Sequence, residues 1–173
     1  ATIELLKESH WQYTFGDDIH RKYTDPLIEE DLRNFIAAQY KDKKLTVVEI
    51  DGIVANLRNT GGQNDYYALR NTFLLYRDGY DFAYSDGRDN PFRLEYIDFE
   101  HPDHNIFRCV NQFVMEQGRE NRRPDILLFI NGIPVCIIEL KNPTKQNATI
   151  RDAHTQICTR YMRDIPALLK YCA

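Results

Sequence analysis

The chain has 173 residues, 43% of them apolar and 12% aromatic, which is enough for one domain with a proper core. It lacks an apolar run of the ~18 residues a membrane span needs, and it lacks a secretory leader pattern, so a cytoplasmic protein without a membrane partner is expected. The net charge of −4 is unevenly placed: residues 1 to 116 carry 13 Lys and Arg against 21 Asp and Glu, while residues 117 to 173 carry 9 against 5. The C-terminal third is therefore the part suited to nucleic acid, and independent binding to DNA should be weak.

In chain order, Thr24-Asp25-Pro26 reads as a helix start, with Asp25 as N-cap and Pro26 in the first turn, leading into Leu27 to Gln39. Asp65 to Tyr76 reads as a second helix, ended by Asp78-Gly79. Arg93 to Phe99 alternates and Phe107 to Met115 is strand-like. Between them His101 and His104, in HPDH, have a ligand spacing, but no third ligand motif stands beside them, so a loop without metal is expected. Ile126 to Ile130 and Val135 to Leu140 are short continuous apolar runs joined by Asn131-Gly132, the strongest hairpin signal in the chain. Neither run alternates with polar residues, so both strands should lie inside a sheet covered on two faces. Ala148 to Arg163 predicts an amphipathic helix, with Ile150, Ala153, Ile157 and Tyr161 on its apolar side. With the hairpin, four strands are expected. Cys109, Cys136, Cys158 and Cys172 show no C-x-x-C spacing and read as reduced thiols.

Charges at the ends of such apolar strands stand out, because burial makes them costly unless they are paired or metal-bound. Asp125 opens the first strand of the hairpin, and Glu139 and Lys141 close the second. Phosphodiester cleavage needs a hard cation to offset charge on the phosphate and to generate hydroxide near neutral pH, and carboxylates are its natural ligands. In this arrangement Asp125, Glu139 and the backbone carbonyl of Leu140 hold magnesium, and Lys141 orients or deprotonates the attacking water. Register sets a condition. Successive strand residues point to opposite faces, so a plain two-residue loop at Asn131-Gly132 pairs Asp125 with Ile138 and leaves Glu139 on the wrong face. An odd-length turn or a bulge restores one face, and one of these is expected.

Pro124-Asp125 followed by Glu139-Leu140-Lys141 resembles the PD-(D/E)xK nuclease superfamily. The wider segment IFRCVNQFVMEQGRENRRPDILLFINGIPVCIIELKNPT closely resembles the N-terminal endonuclease domain of the R subunit of type I restriction enzymes. The likeness extends upstream through LEYIDFEHPDHNIFRCVNQF, to the opening ELLKESHWQYTFGDDI, and downstream to Tyr161 through Pro166. It implies an α/β, restriction-endonuclease-like mixed sheet flanked by helices. It also implies endonucleolytic cleavage of double-stranded DNA with magnesium, manganese being able to substitute. Asp125, Glu139 and Lys141 take the catalytic places. The R subunits of this family continue into ATP-driven motor domains and work with modification and specificity subunits. No G-x-x-x-x-G-K-[ST] phosphate loop occurs here, so residues 1 to 173 read as the endonuclease domain alone, with ATP used elsewhere in the subunit.

The family places a Gln and a Tyr four residues apart on the helix after the hairpin, whereas Gln156 and Tyr161 are five apart. In an α-helix that is about 140° of rotation, so the two are not expected to share a face. Gln156, Arg160 and Arg163 are candidates for DNA-backbone contact. Further acidic or basic candidates for the site are His20, Glu29 and Glu30 near the first long helix. Two alternatives stay open: a non-catalytic DNA-binding or docking module of the same fold, and another nuclease of the superfamily, such as a repair or junction-resolving enzyme.

Overall fold

A computed structural model describes residues 2–140 and 149–172. A short helix, α1 (Thr2–Glu8), leads into strand β1 (Gln12–Phe15). Three longer helices follow, α2 (Glu29–Gln39), α3 (Val47–Asn59) and α4 (Asp65–Asp78). Strands β2 (Tyr80–Phe82) and β3 (Phe92–Leu94) pair with each other. Then come β4 (Phe107–Asn111), the small pair β5 (Met115–Gln117) and β6 (Glu120–Arg122), and the hairpin β7 (Ile126–Ile130) and β8 (Ile133–Ile138). A C-terminal helical run closes the chain: α5 (Ile150–Thr155), a π-helical turn (Gln156–Tyr161), α6 (Met162–Asp164) and α7 (Pro166–Leu169).

The main sheet has the order β1-β4-β7-β8, with β1 parallel to β4 and the other pairs antiparallel. Side chains alternate across β7, and the two faces meet different helices. Ile130 and its partner Ile133 pack with Leu32, Phe35 and Ile36 of α2 and with Ile53 and Leu57 of α3. Leu127 and Phe129 turn the other way, onto Tyr161, Ile165 and Leu168 of the C-terminal run. Each fully buried Leu or Phe contributes about 1.5–3 kcal/mol relative to exposure, so burial pins the register of β7. The α/β mixed sheet between helical layers is the architecture expected from the sequence.

Several local readings are corrected. The first long helix begins at Glu29 rather than Leu27, because Ile28 donates its N–H to the Gly132 carbonyl at 2.9 Å and fastens that segment to the hairpin turn. Asp25 does not cap it; its carboxylate accepts the Leu27 N–H at 3.1 Å and pairs with Arg58. The strand expected over Arg93 to Phe99 stops at Leu94, since the next backbone donors go to side chains: Glu95 N–H to the Tyr40 hydroxyl and Asp98 N–H to Asn105. Its place in the four-stranded sheet is taken by β1. The strand from Phe107 ends at Asn111 because Gln112 turns left-handed (φ 58°) and donates to the Asp125 carbonyl. Helix α3, not anticipated, starts at a capping box in which Thr46 and Glu49 satisfy each other's backbone N–H groups.

The hairpin turn is two residues long, Asn131 and Gly132, both left-handed at φ 51° and 76°. Gly132 is doubly constrained, because a Cβ there would stand 2.1 Å from the Ile28 carbonyl oxygen. Asn131 is fully buried and completely bonded. Its amide donates to the Tyr96 carbonyl (2.9 Å) and to Asn105 Oδ1 (2.8 Å), and its Oδ1 accepts from the Ile106 N–H (2.7 Å). β8 lies at the end of the strand order rather than inside the sheet, and its last four residues are half-buried.

Candidate active site

Leaving the turn, the hairpin runs in simple register, Ile130 opposite Ile133 and Phe129 opposite Pro134. It then slips by one, so that Leu128 faces Cys136 and Ile126 faces Ile138. Val135 is the extra residue. Pro134 has no N–H to give the ladder, which is why the slip falls beside it and why β8 tolerates an edge position. Continuing the slipped register sets Glu139 across from Asp125. The bulge that the site required is present, with a two-residue turn instead of an odd-length one.

Asp125 and Glu139 thus share the face that carries Leu127 and Ile137, toward the C-terminal helical run. Asp125 accepts the Leu140 N–H at 2.8 Å through one oxygen, and its own carbonyl accepts from Gln112. Glu139 is held from the opposite side: the Tyr161 hydroxyl donates to Oε1 at 2.6 Å and the Gln156 amide to Oε2 at 2.8 Å. The Gln156 amide also donates to the Tyr161 hydroxyl at 2.7 Å. Burial, reinforced by the bond to Glu139, pushes the Tyr161 phenol well above its ordinary pKa, so it remains a proton donor at any working pH.

Gln156 and Tyr161 therefore do share a face, against the expectation from α-helical rotation. The segment between them is π-helical, and its wider, i→i+5 bonded turn brings residues five apart much nearer to one face than an α-helix does. The only sequence signal for this was the spacing itself, one residue longer than a pair meant to meet on a common carboxylate.

The other candidates fall elsewhere. Lys141 lies outside the described residues. Leu140 is exposed at the end of β8, beside Asp125. Gln156 faces Glu139, not outward with the arginines. Arg163 is bonded to the buried Asp164, which Arg122 also grips, while Arg160 is exposed. Glu29 is bound by Arg33 (2.6 Å) and Arg58 (2.5 Å), and Glu30 and His20 are exposed. These last three line a different cavity of about 560 Å³ together with Arg58 and Lys170; among the described residues, Asp125 and Glu139 do not contribute to it. The structure does not bring His20, Glu29 or Glu30 to the hairpin carboxylates, because α2 is fastened at its start to the far, turn end of the hairpin.

Two carboxylates facing one side at one end of a strand pair offer hard oxygen ligands only, a donor set that fits magnesium or manganese better than a softer ion. The strand pattern, the bulge and the helical residues bonded to Glu139 coincide with a family match: residues 1–173 match the family described as type I restriction enzyme R protein N terminus. The chain belongs to this family. Relatives are similar along almost all of it. A Methanocaldococcus jannaschii protein named as the MjaIXP endonuclease subunit of a type I restriction enzyme is 35% identical over 188 residues, 99% of this chain and 17% of the relative. The type I restriction enzyme HindI endonuclease subunit of Haemophilus influenzae is 29% identical over 181 residues, 98% of this chain and 17% of the relative. The chain thus spans about a sixth of the length of these relatives. Among the described residues, no helix is long and apolar enough to cross a membrane.

Proposed function

We propose that this chain is the nuclease module of a type I restriction enzyme R subunit and hydrolyses phosphodiesters of double-stranded DNA without a covalent intermediate. The observation that carries the reading is the bulge at Val135, which puts Asp125 and Glu139 on one face at the open end of the hairpin. Asp125, Glu139 and the Leu140 carbonyl are the proposed magnesium ligands. A divalent ion there supplies charge for the phosphate and lowers the pKa of a bound water toward neutrality. Lys141 would orient the attacking water or take its proton. Tyr161 and Gln156 hold the Glu139 carboxylate in place, one donating an O–H and the other an N–H to it. Arg160, exposed beside Tyr161 in sequence, is the proposed phosphate contact. Recognition of a DNA site and ATP-driven motion are assigned to the motor domains and to the modification and specificity subunits of the larger assembly, in the cytoplasm.

The test is conversion of supercoiled plasmid to nicked or linear DNA with magnesium or manganese, comparing the native chain with Glu139→Ala and Lys141→Ala. Metal-dependent cutting that both substitutions abolish supports the assignment, and cutting that survives them overturns it. If no version cuts, the docking-module reading takes precedence for the isolated chain.

A further inference from the structure

A second set of ligating atoms lies at the opposite end of β7. The strand-like expectation for residues 93 to 99 hid it: once the chain leaves the ladder at Leu94, Asp98 folds back under the HPDH loop and becomes the third ligand-type group that the sequence did not reveal. One oxygen of Asp98 and one ring nitrogen each of His101 and His104 all lie within 4.8 Å of one another. Asp98 Oδ2 is 3.0 Å from His104 Nδ1 and 3.6 Å from His101 Nδ1. Two ligands of a tetrahedral zinc ion, each at about 2.0–2.2 Å, stand roughly 3.3–3.5 Å apart, so the observed separations bracket the spacing such an ion requires. The two imidazoles already lie side by side, with centroids 5.0 Å apart and planes 20° from parallel.

The loop that carries them is built and anchored. Asp98 is 5% exposed, and its Oδ1 accepts the backbone N–H groups of Glu100 (3.1 Å) and His101 (2.8 Å). Its Oδ2, the oxygen nearest both rings, is steadied by the Gln39 amide at 2.8 Å. Pro102–His104 forms a 3₁₀ turn, and Asn105 ties the turn to the Asp98 carbonyl and onward to Asn131. Ligand positions fixed by the backbone lower the ordering cost of binding. Both histidines are exposed, so an ion can reach them from solvent.

We propose that Asp98, His101 and His104 form a binding site for a zinc-class divalent cation, with solvent completing the shell. Two imidazoles and one carboxylate select zinc and its neighbours over magnesium, which takes oxygen ligands. Place and chemistry both separate this site from the hairpin carboxylates: Asp125 and Asn131 are six residues apart along an extended strand, roughly 20 Å. Bound there, the ion clasps the His101–His104 turn onto Asp98 and, through Gln39, onto the end of α2.

The test is calorimetric titration of the chain with zinc chloride, repeated with Asp125→Ala/Glu139→Ala and with His101→Ala/His104→Ala. The expected result is one zinc ion bound per chain with micromolar or tighter affinity. That affinity should be unchanged within about threefold in the carboxylate pair variant and weakened by roughly tenfold or more in the histidine pair variant. Zinc K-edge absorption of the loaded native chain should show two imidazole ligands. Because both histidines are exposed, the variant should keep the native far-UV circular dichroism. Zinc binding that survives loss of both histidines, that vanishes only with Asp125 and Glu139, or that is absent from the native chain would overturn the proposal.

Discussion

The two ends of the β7–β8 hairpin are built on opposite rules. At the turn end the side chains and backbone are tied into a network: Asn131 bonds Tyr96, Asn105 and Ile106, Gly132 bonds Ile28, and Asn105 secures the loop that follows Asp98. At the open end two carboxylates are gathered on one half-exposed face, Asp125 accepting from the Leu140 N–H and Glu139 from Gln156 and Tyr161. The hairpin is thus anchored at its turn end, away from the two carboxylates.

Substitutions at the turn should break folding, and those at the open end should break cleavage. The largest loss of stability is expected for Gly132→Ala, about 3–5 kcal/mol, since it combines a left-handed backbone with a clash against Ile28; urea denaturation measures it. Asn131→Ala should cost roughly 2–4 kcal/mol by the same assay, because it takes away the side-chain partner of the Tyr96 carbonyl and of the Ile106 N–H. Asp125→Asn should do the reverse, removing plasmid cleavage while leaving stability within about 0.5 kcal/mol of native or above it; a large loss of stability would erase the contrast. Tyr161→Phe should retain the fold at a cost of about 1 kcal/mol. It should also lower the cleavage rate about tenfold with little change in apparent substrate affinity, as a loosened Glu139 carboxylate requires.

A weaker contrast appears in acid. The Asp98 carboxylate is raised by burial but more than compensated by the His101 N–H, Gln39 and His104, and it is brought down to about 2. Glu49 is likewise held at about 2 by Arg88 and the Thr46 N–H. Both values lie below the ordinary ones of roughly 3.9 and 4.3 in an unfolded chain, so the unfolded state binds more protons in that range. Their contribution is fully present above about pH 5 and is lost as pH falls from about 4 toward 2. Acid unfolding followed by circular dichroism should shift to higher pH in Glu49→Gln.

How much of this was legible varies by residue. The hairpin could be read because Asn-Gly and two apolar runs are local signals, and the need for an odd-length turn or a bulge followed from side-chain alternation once Asp125 and Glu139 were to share a face. Pro134 marks where the bulge and the sheet edge fall, since a residue without an N–H cannot complete a central ladder. The capping box before α3 was equally local. Gln156 and Tyr161 were not readable in this way, because α and π turns differ by one hydrogen bond whose choice depends on what the side chains meet.

By itself the sequence determined the elements whose causes lie within a few residues: the turn, the capping box of α3, the apolar strands, and the family pattern of Asp125, Glu139 and Lys141. Only the tertiary structure decided which strand occupies the sheet edge, that β1 replaces residues 93 to 99 in the sheet, that Tyr161 reaches Glu139, and that Asp98 joins two histidines. Those outcomes depend on where backbone donors and buried side chains find partners far along the chain, and no local pattern records that competition.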